Sequence, residues 1–204
     1  MFLWYWLRYL YFYVIGWWIR RKKKNNQEDE MWPTNIRSKA IAWPWECDLN
    51  LHLNTASQIS EAEYERCSWH FASYFMEKKP DFYWVMASIM TTYRRQIPMF
   101  CRYEKRYNFI GYDERFWYFR QTFYVKGKIA TMFFLKLACV DKKTHKMVPV
   151  EDACKRNNIP FVEKMKVIPE TLKNWAAAEQ TEYKKLELSN TKSQISNKQT
   201  KKQK

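Results

Sequence analysis

Glycine is almost missing from this chain, with 3 in 204 residues, and none of the three stands in a glycine-rich phosphate loop. P-loop and dinucleotide-binding turns need several glycines in close order, so neither reading is tenable. Cysteine occurs five times, at Cys47, Cys67, Cys101, Cys139 and Cys154, but the number is odd, the spacings are wide and no C-x-x-C is present. That argues against a disulfide framework or a zinc site and for a reducing compartment. There are three histidines, and no His/Cys/Asp/Glu set has metal-ligand spacing, so neither a metal nor another cofactor is expected. Acidic residues are also in short supply, 21 against 36 Lys and Arg, for a net charge of +15. Much of that excess lies at the two ends, in RRKKK at 20–24 and in the lysines from Lys184 onward, while the middle is more balanced. The distribution argues against a nucleic-acid binder and describes tails that meet solvent, a membrane surface or an acidic partner.

What the chain has in excess is aromatic side chains, 19% of all residues. A disordered segment cannot carry such a load, so the middle of the chain must bury a large apolar surface. The first nineteen residues, MFLWYWLRYLYFYVIGWWI, are apolar apart from Arg8 and are followed at once by the basic cluster. As a helix they would measure about 28 Å, enough to cross a hydrocarbon core. Residues 1–24 are therefore expected to form a retained single-pass membrane helix with Arg8 snorkelling to one end and the basic flank on the cytoplasmic or matrix side. Its aromatic content also suits an interfacial helix or one bound to a partner.

Residues 25–30 read as a polar linker, 31–178 as a folded domain, and 179–204 as a basic polar tail without structure of its own. Ile36 to Trp43 suits a strand ending at Pro44. Thr55 to Lys79 contains neither Gly nor Pro, and Ile59, Ala62, Cys67, Phe71, Tyr74 and Phe75 recur at helical spacing. Thr55 with Gln58 has the form of a capping box, and Pro80 marks the exit. Strand-like runs follow at Tyr83–Tyr93, Phe100–Ile110, Arg115–Val125 and Ile129–Val140, separated by turn residues. A short helical patch is expected at Glu170–Ala178. The order predicts an α+β fold in which an antiparallel sheet covers its apolar face by wrapping around one long central helix.

Between the first strand and that helix stands D-L-N-L-H-L-N-T, which crowds Asp48, Asn50, His52 and Asn54 into seven positions ahead of Thr55. The free N–H groups at the helix start form a natural site for a developing oxyanion. A carboxylate just upstream could act as general base or nucleophile towards a carbonyl held there, with Asn50, His52 and Asn54 positioning the substrate or orienting the acid. The same residues also fit a structural reading: Asn54 as helix cap, Asp48 and Asn50 in Asx turns, His52 as a loop histidine.

D-L-N-L-H-L-N-T followed by A-S-Q-I-S-E-A-E resembles the D-x-x-x-H-x-N-N-x-x-Y signature of the hot-dog thioesterases of the 4-hydroxybenzoyl-CoA type. YRRQI at 93–97, FIGYDERFWYF at 109–119 and IPETLKNW at 168–175 resemble the branch that includes thioesterase superfamily member six, which has an N-terminal anchor. The resemblance runs in one order over residues 31–178. It implies a hot-dog domain that pairs with another, as a homo- or heterodimer, with acyl-CoA thioester sites at the interface and Asp48 as the catalytic carboxylate. Three positions depart from the pattern. Leu51 stands where Gly is common and is expected to restrict the turn, Thr55 replaces the second Asn, and Gln58 replaces Tyr. Arg94 and Arg95 could meet coenzyme A phosphates, or simply end a strand in solvent. His70 is expected in the core or an interface, and His145 in solvent.

Two functions follow. One is a membrane-anchored acyl-CoA thioesterase; the other is a catalytically silent hot-dog domain serving as an accessory subunit of a large membrane assembly. An acyl-CoA binder without turnover is a third. The expected home is the matrix side of the mitochondrial inner membrane or the cytosolic side of the endoplasmic reticulum.

Overall fold

Along Arg102–Tyr112 the side chains alternate, with Tyr103, Lys105, Tyr107 and Phe109 on one face and Glu104, Arg106, Asn108 and Ile110 on the other. Period-two alternation of this kind fixes which face of a strand is covered, and here it places one charged residue, Lys105, on the covered side. The computed structural model describes residues 2–25, 35–72, 80–157, 166, 168–183 and 185. The strands are β1 (Asn35–Ile41), β2 (Phe82–Tyr93), β3 (Arg102–Tyr112), β4 (Phe116–Val125), β5 (Lys128–Asp141) and the short β6 (Met147–Val148). They form one antiparallel sheet in the order β1-β3-β4-β5-β2, with β6 paired to β5. The β4–β5 hairpin closes through Lys126 and Gly127, both at positive φ (49° and 74°), the backbone that a two-residue turn between right-twisted strands requires.

The long helix α2 (Thr55–Ala72) lies across the inward face of this sheet. Trp69 meets the ring of Phe119 edge-on at 4.8 Å, and Tyr107 stacks on Phe119 at 5.2 Å. Trp117, Phe123 and Phe133 extend the buried aromatic set. Such pairs add about 0.5–1.5 kcal/mol each beyond their burial, and they account for the aromatic load. The expected hot-dog arrangement, strand, long helix, then four strands, is therefore present, but the four strands are not a simple meander: β3, β4 and β5 follow one another in the sheet, while β2 crosses to the edge beyond β5. A short helix α3 (Val150–Arg156) follows β6.

Of the apolar positions expected to line the helix, Ala62 is buried and Ile59 packs partly buried against the core. Cys67 and Phe71 are only partly buried, and Tyr74 and Phe75 lie outside the described residues. The polar Gln58, Glu61, Glu65 and Ser68 are buried as well. Lys105, 1% exposed in its side chain, reaches Glu61 at 2.5 Å and Glu65 at 3.0 Å, and Ser38 donates a hydrogen bond to Glu65. Burial opposes the ammonium charge of Lys105, but Glu65 and Glu61 outweigh it and raise the pKa above the ordinary lysine value.

The other side of α2 is covered by α1 (Phe2–Asn25). Tyr13 packs edge-on against Phe71 at 4.6 Å, and the Arg8 guanidinium lies 5.4 Å from the Tyr64 ring centre. Here the sequence expectation is corrected: among the described residues no helix is long and apolar enough to cross a membrane. Tyrosine and tryptophan make up much of α1 and lower its hydropathy. Arg8 does not snorkel; it forms ion pairs with Glu46 and Glu61.

Residues 1–166 form one compact unit and 167–204 a second. In the second, residues 170–183 are helical, which extends the expected patch. The expected linker at 25–30 falls almost wholly outside the described residues, as do most side chains of the basic flank and the tail from 186 onward.

Candidate functional site

After β1 the chain is held to the loop that precedes β3. Ala42 N–H donates to the Cys101 carbonyl at 3.1 Å, and Phe100 N–H to the Ala42 carbonyl at 2.7 Å. A single 3-10 turn (Pro44–Glu46) then delivers the chain into the Asp48 loop. That loop doubles back on itself. Cys47 and Leu53 form an antiparallel bridge, Asp48 N–H donates to His52 C=O at 2.9 Å, and Leu51 N–H donates to Asp48 C=O at 3.0 Å. Asn54 N–H closes it on the Glu46 carbonyl at 3.0 Å. A second wall comes from residues 97–99: Leu53 N–H donates to Ile97 C=O and Met99 N–H to Leu51 C=O, both at 2.8 Å.

The tip of the loop corrects one expectation. Leu51 adopts φ of +60°, the left-handed conformation that glycine favours, so the turn forms despite the side chain. An L-residue pays roughly 1–2 kcal/mol for that backbone, and the hydrogen bonds on both sides of Leu51 hold it there.

The folded loop orients Asp48. Its Oδ2 lies 3.1 Å from His52 Nδ1, and its Oδ1 accepts the Asn50 N–H at 2.9 Å. The two side chains are 34% and 22% exposed, so the carboxylate is held yet open to water. Asn50 acts on Asp48 through its backbone, and its side chain is exposed. Asn54 caps α2, its Oδ1 accepting the Ser57 N–H at 2.7 Å. The expected Thr55–Gln58 capping box is not formed. Thr55 is exposed at the first helical position, and buried Gln58 turns inward, donating to Leu53 C=O at 3.0 Å and accepting from Thr131 at 2.7 Å. With Ser57 occupied, the amides of Thr55 and Ala56 are the first-turn donors that no helix carbonyl can reach, at the positive end of the helix dipole.

Arg94 and Arg95 both donate their backbone N–H groups to Ala130 C=O, at 2.7 and 3.0 Å, and both side chains are exposed. They lead directly into the 97–99 wall of the loop. Cys47 is not an activated nucleophile: burial, with the charges of Glu46 and Asp48, pushes its thiol pKa up. Among the described residues no group of three His, Cys, Asp or Glu side chains could hold a metal ion. The motif reading missed Glu46, which is buried and ion-paired at the base of the loop. An acid set between Trp45 and Cys47, next to a proline-bounded turn, was the available signal. The arrangement as a whole can accept a proton from water at Asp48 beside a helix end that favours negative charge.

Among curated proteins, none matches this sequence. Solved structures do match in fold. YbaW, a probable thioesterase from Escherichia coli, is 15% identical, with 61% of this chain and 96% of that one covered and a TM-score of 0.52. SAV2348 from Staphylococcus aureus, solved in complex with CoA, is 13% identical, with 71% and 96% covered and a TM-score of 0.52. A DHNA-CoA thioesterase from Staphylococcus aureus is 15% identical, with 63% and 97% covered and a TM-score of 0.51. At such identities the likeness is one of fold. The sequence profile of the Thioesterase-like superfamily matches residues 42–175, a stretch that opens ahead of the Asp48 loop and takes in α2 and every strand from β2 to β6. Since that stretch is well over half of the chain, the protein belongs to the thioesterase-like, hot-dog superfamily.

Proposed function

We propose that the protein is an acyl-CoA thioesterase in which Asp48 activates the hydrolytic water. One observation carries this reading: a water-accessible carboxylate, held at 3.1 Å by His52 and at 2.9 Å by the Asn50 amide, in a loop that runs straight into the start of α2. Asp48 takes a proton from water as the water oxygen bonds to the acyl carbon. The carbonyl oxygen gains negative charge opposite the Thr55 and Ala56 amides. Collapse breaks the carbon–sulfur bond, and the departing thiolate takes the proton from Asp48, leaving a carboxylic acid and free CoA. In this reading the exposed Asn50 side chain meets substrate, and Arg94 and Arg95 meet the phosphates of the CoA head.

The partner in this reading is a second hot-dog domain, of this chain or a related one. β2 is an edge strand of twelve residues, and its outer side has no strand partner among the described residues. A long open edge of that kind calls for pairing. The membrane enters through α1, whose Trp6, Leu7, Leu10, Val14, Trp17 and Trp18 are exposed, with Arg21 over Trp17 at 5.1 Å. Tryptophan and leucine beside basic residues suit a helix lying in the interfacial plane of an anionic membrane, mitochondrial or of the endoplasmic reticulum.

The test is hydrolysis of short, long and aromatic acyl-CoAs by the full chain beside Asp48→Asn. A loss of at least about a hundredfold in the variant supports the reading; equal rates overturn it. The exposed apolar stripe on α1 also favours a second reading, a silent subunit seated in a larger membrane assembly. In that case Asp48→Asn changes nothing, and mild detergent extraction recovers the chain in a large particle.

A further inference from the structure

Arg8 is the lone cation among the first nineteen residues, and it touches two places that are distant in sequence. Its Nη1 lies 2.6 Å from Glu46 Oε1 and 2.6 Å from Glu61 Oε1, with the Arg8 side chain 19% exposed and both acids buried. Burial works against the guanidinium charge, but Glu61 and Glu46 outweigh it and leave Arg8 more basic than usual.

The two acids stand on either side of the Asp48 loop. Glu46 ends the 3-10 turn before it, and Glu61 lies on α2 after it. Glu46 is more than a counter-charge. Its Oε2 accepts the Trp43 N–H at 3.1 Å, and its backbone carbonyl accepts the Asn54 N–H that closes the loop at 3.0 Å. One guanidinium therefore ties the base of the loop to the helix whose first turn faces the site. Lys105 does not duplicate this role: its ion pairs run to Glu61 and Glu65, and among the described residues those of Glu46 run to Arg8.

We propose that Arg8 is a positioning residue for the Asp48 loop, and that α1 is a clamp which, through Arg8, holds Glu46 and α2 at a fixed separation. A salt bridge that merely fastened α1 to the domain would need only one of these acids. Bridging both fixes the span across which residues 47–54 are strung. The consequence for catalysis rests on the thioesterase reading above; the consequence for the loop does not.

Hydrogen exchange on the full chain tests the clamp directly, comparing Arg8→Met with Arg8→Lys. A charge-assisted contact of this kind corresponds to roughly tenfold or more in local opening. Arg8→Met is expected to speed exchange of the Asp48, Leu51, Leu53 and Asn54 amides by that factor while amides of β4 and β5 keep their rates, and Arg8→Lys is expected to restore most of the protection. In acyl-CoA hydrolysis the same variant is expected to lower kcat and leave KM nearly unchanged. A parent chain that turns over no acyl-CoA defeats the thioesterase reading, and exchange still decides the clamp. If Arg8→Met does not fold, Glu46→Gln takes its place, because it weakens the loop side of the bridge and keeps the Glu61 side. A selective rise in exchange over residues 47–54 supports the proposal. Unchanged exchange there, or an equal rise throughout the domain, overturns it.

Discussion

His52 Nδ1 and Asp48 Oδ2 meet at 3.1 Å although three residues lie between them, because the Asp48 N–H is bonded to the carbonyl of His52 itself. Backbone and side chains thus join the same two residues twice. His52→Ala keeps the backbone bond and removes the side-chain contact, leaving the carboxylate oriented by the Asn50 amide alone. Turnover of acyl-CoA is expected to fall by up to about a hundredfold, in kcat more than in KM, as for a misplaced catalytic group. Steady-state kinetics of this variant beside the parent check it.

Leu51 sits at positive φ with its side chain exposed, so it contributes strain and little packing. Leu51→Gly removes the strain and adds the chain entropy that glycine loses on folding. The two effects oppose each other, with the strain the larger. The variant is expected to be more stable by about 0.5 kcal/mol or more in urea denaturation, and a loss of stability would mean that the side chain has a partner in the assembled protein.

Lys105 lies between Glu61 and Glu65 with almost no access to water. Lys105→Met leaves those acids buried around an apolar chain and is expected to cost about 3–5 kcal/mol, the usual penalty for breaking a buried pair. Adding Glu61→Gln and Glu65→Gln should recover part of that loss. Urea midpoints for the single and triple variants measure both effects.

His70 packs edge-on against Trp84 at 4.7 Å, and burial, with Arg66 and Lys142 nearby, lowers its pKa to about 4. The unfolded chain takes up that proton near pH 6.5, so the unfolded state binds more protons between these values. Stability is therefore expected to decline as pH falls from about 6.5 towards 4, with no further contribution from this group below that. His70→Gln should remove this part of the slope in denaturation curves recorded across that range.

The strands and the long helix were legible because period two and period 3.6 survive in the sequence: the run read as Tyr83–Tyr93 is Phe82–Tyr93, and the run read as Arg115–Val125 is Phe116–Val125. Asn54 as a cap and the polar crowding at Asp48 were also visible, since both depend on neighbours in the chain. The buried charges were not. Glu61 and Glu65 look like the solvated face of a helix until α1 and the sheet close over both sides of it. Lys105 did carry a signal, an inward register between Tyr103 and Tyr107. Arg8 needed partners some forty and fifty residues away, which no local pattern names. The membrane-spanning reading of 1–24 is corrected for a local reason instead: its length suits a span, but the tyrosines and tryptophans of α1 hold its hydropathy below what a span needs.

Trp43 and Trp45 flank Pro44 just ahead of the site loop, their rings 5.3 Å apart and within 5° of parallel. Indoles so close couple their electronic transitions, and the circular dichroism of the pair depends on how one ring is turned and offset against the other. Glu46, next in the chain, is the residue that Arg8 holds. The protein therefore carries its own optical gauge at the base of the loop: near-ultraviolet circular dichroism should register any shift of the 3-10 turn, with no label attached and no substrate required.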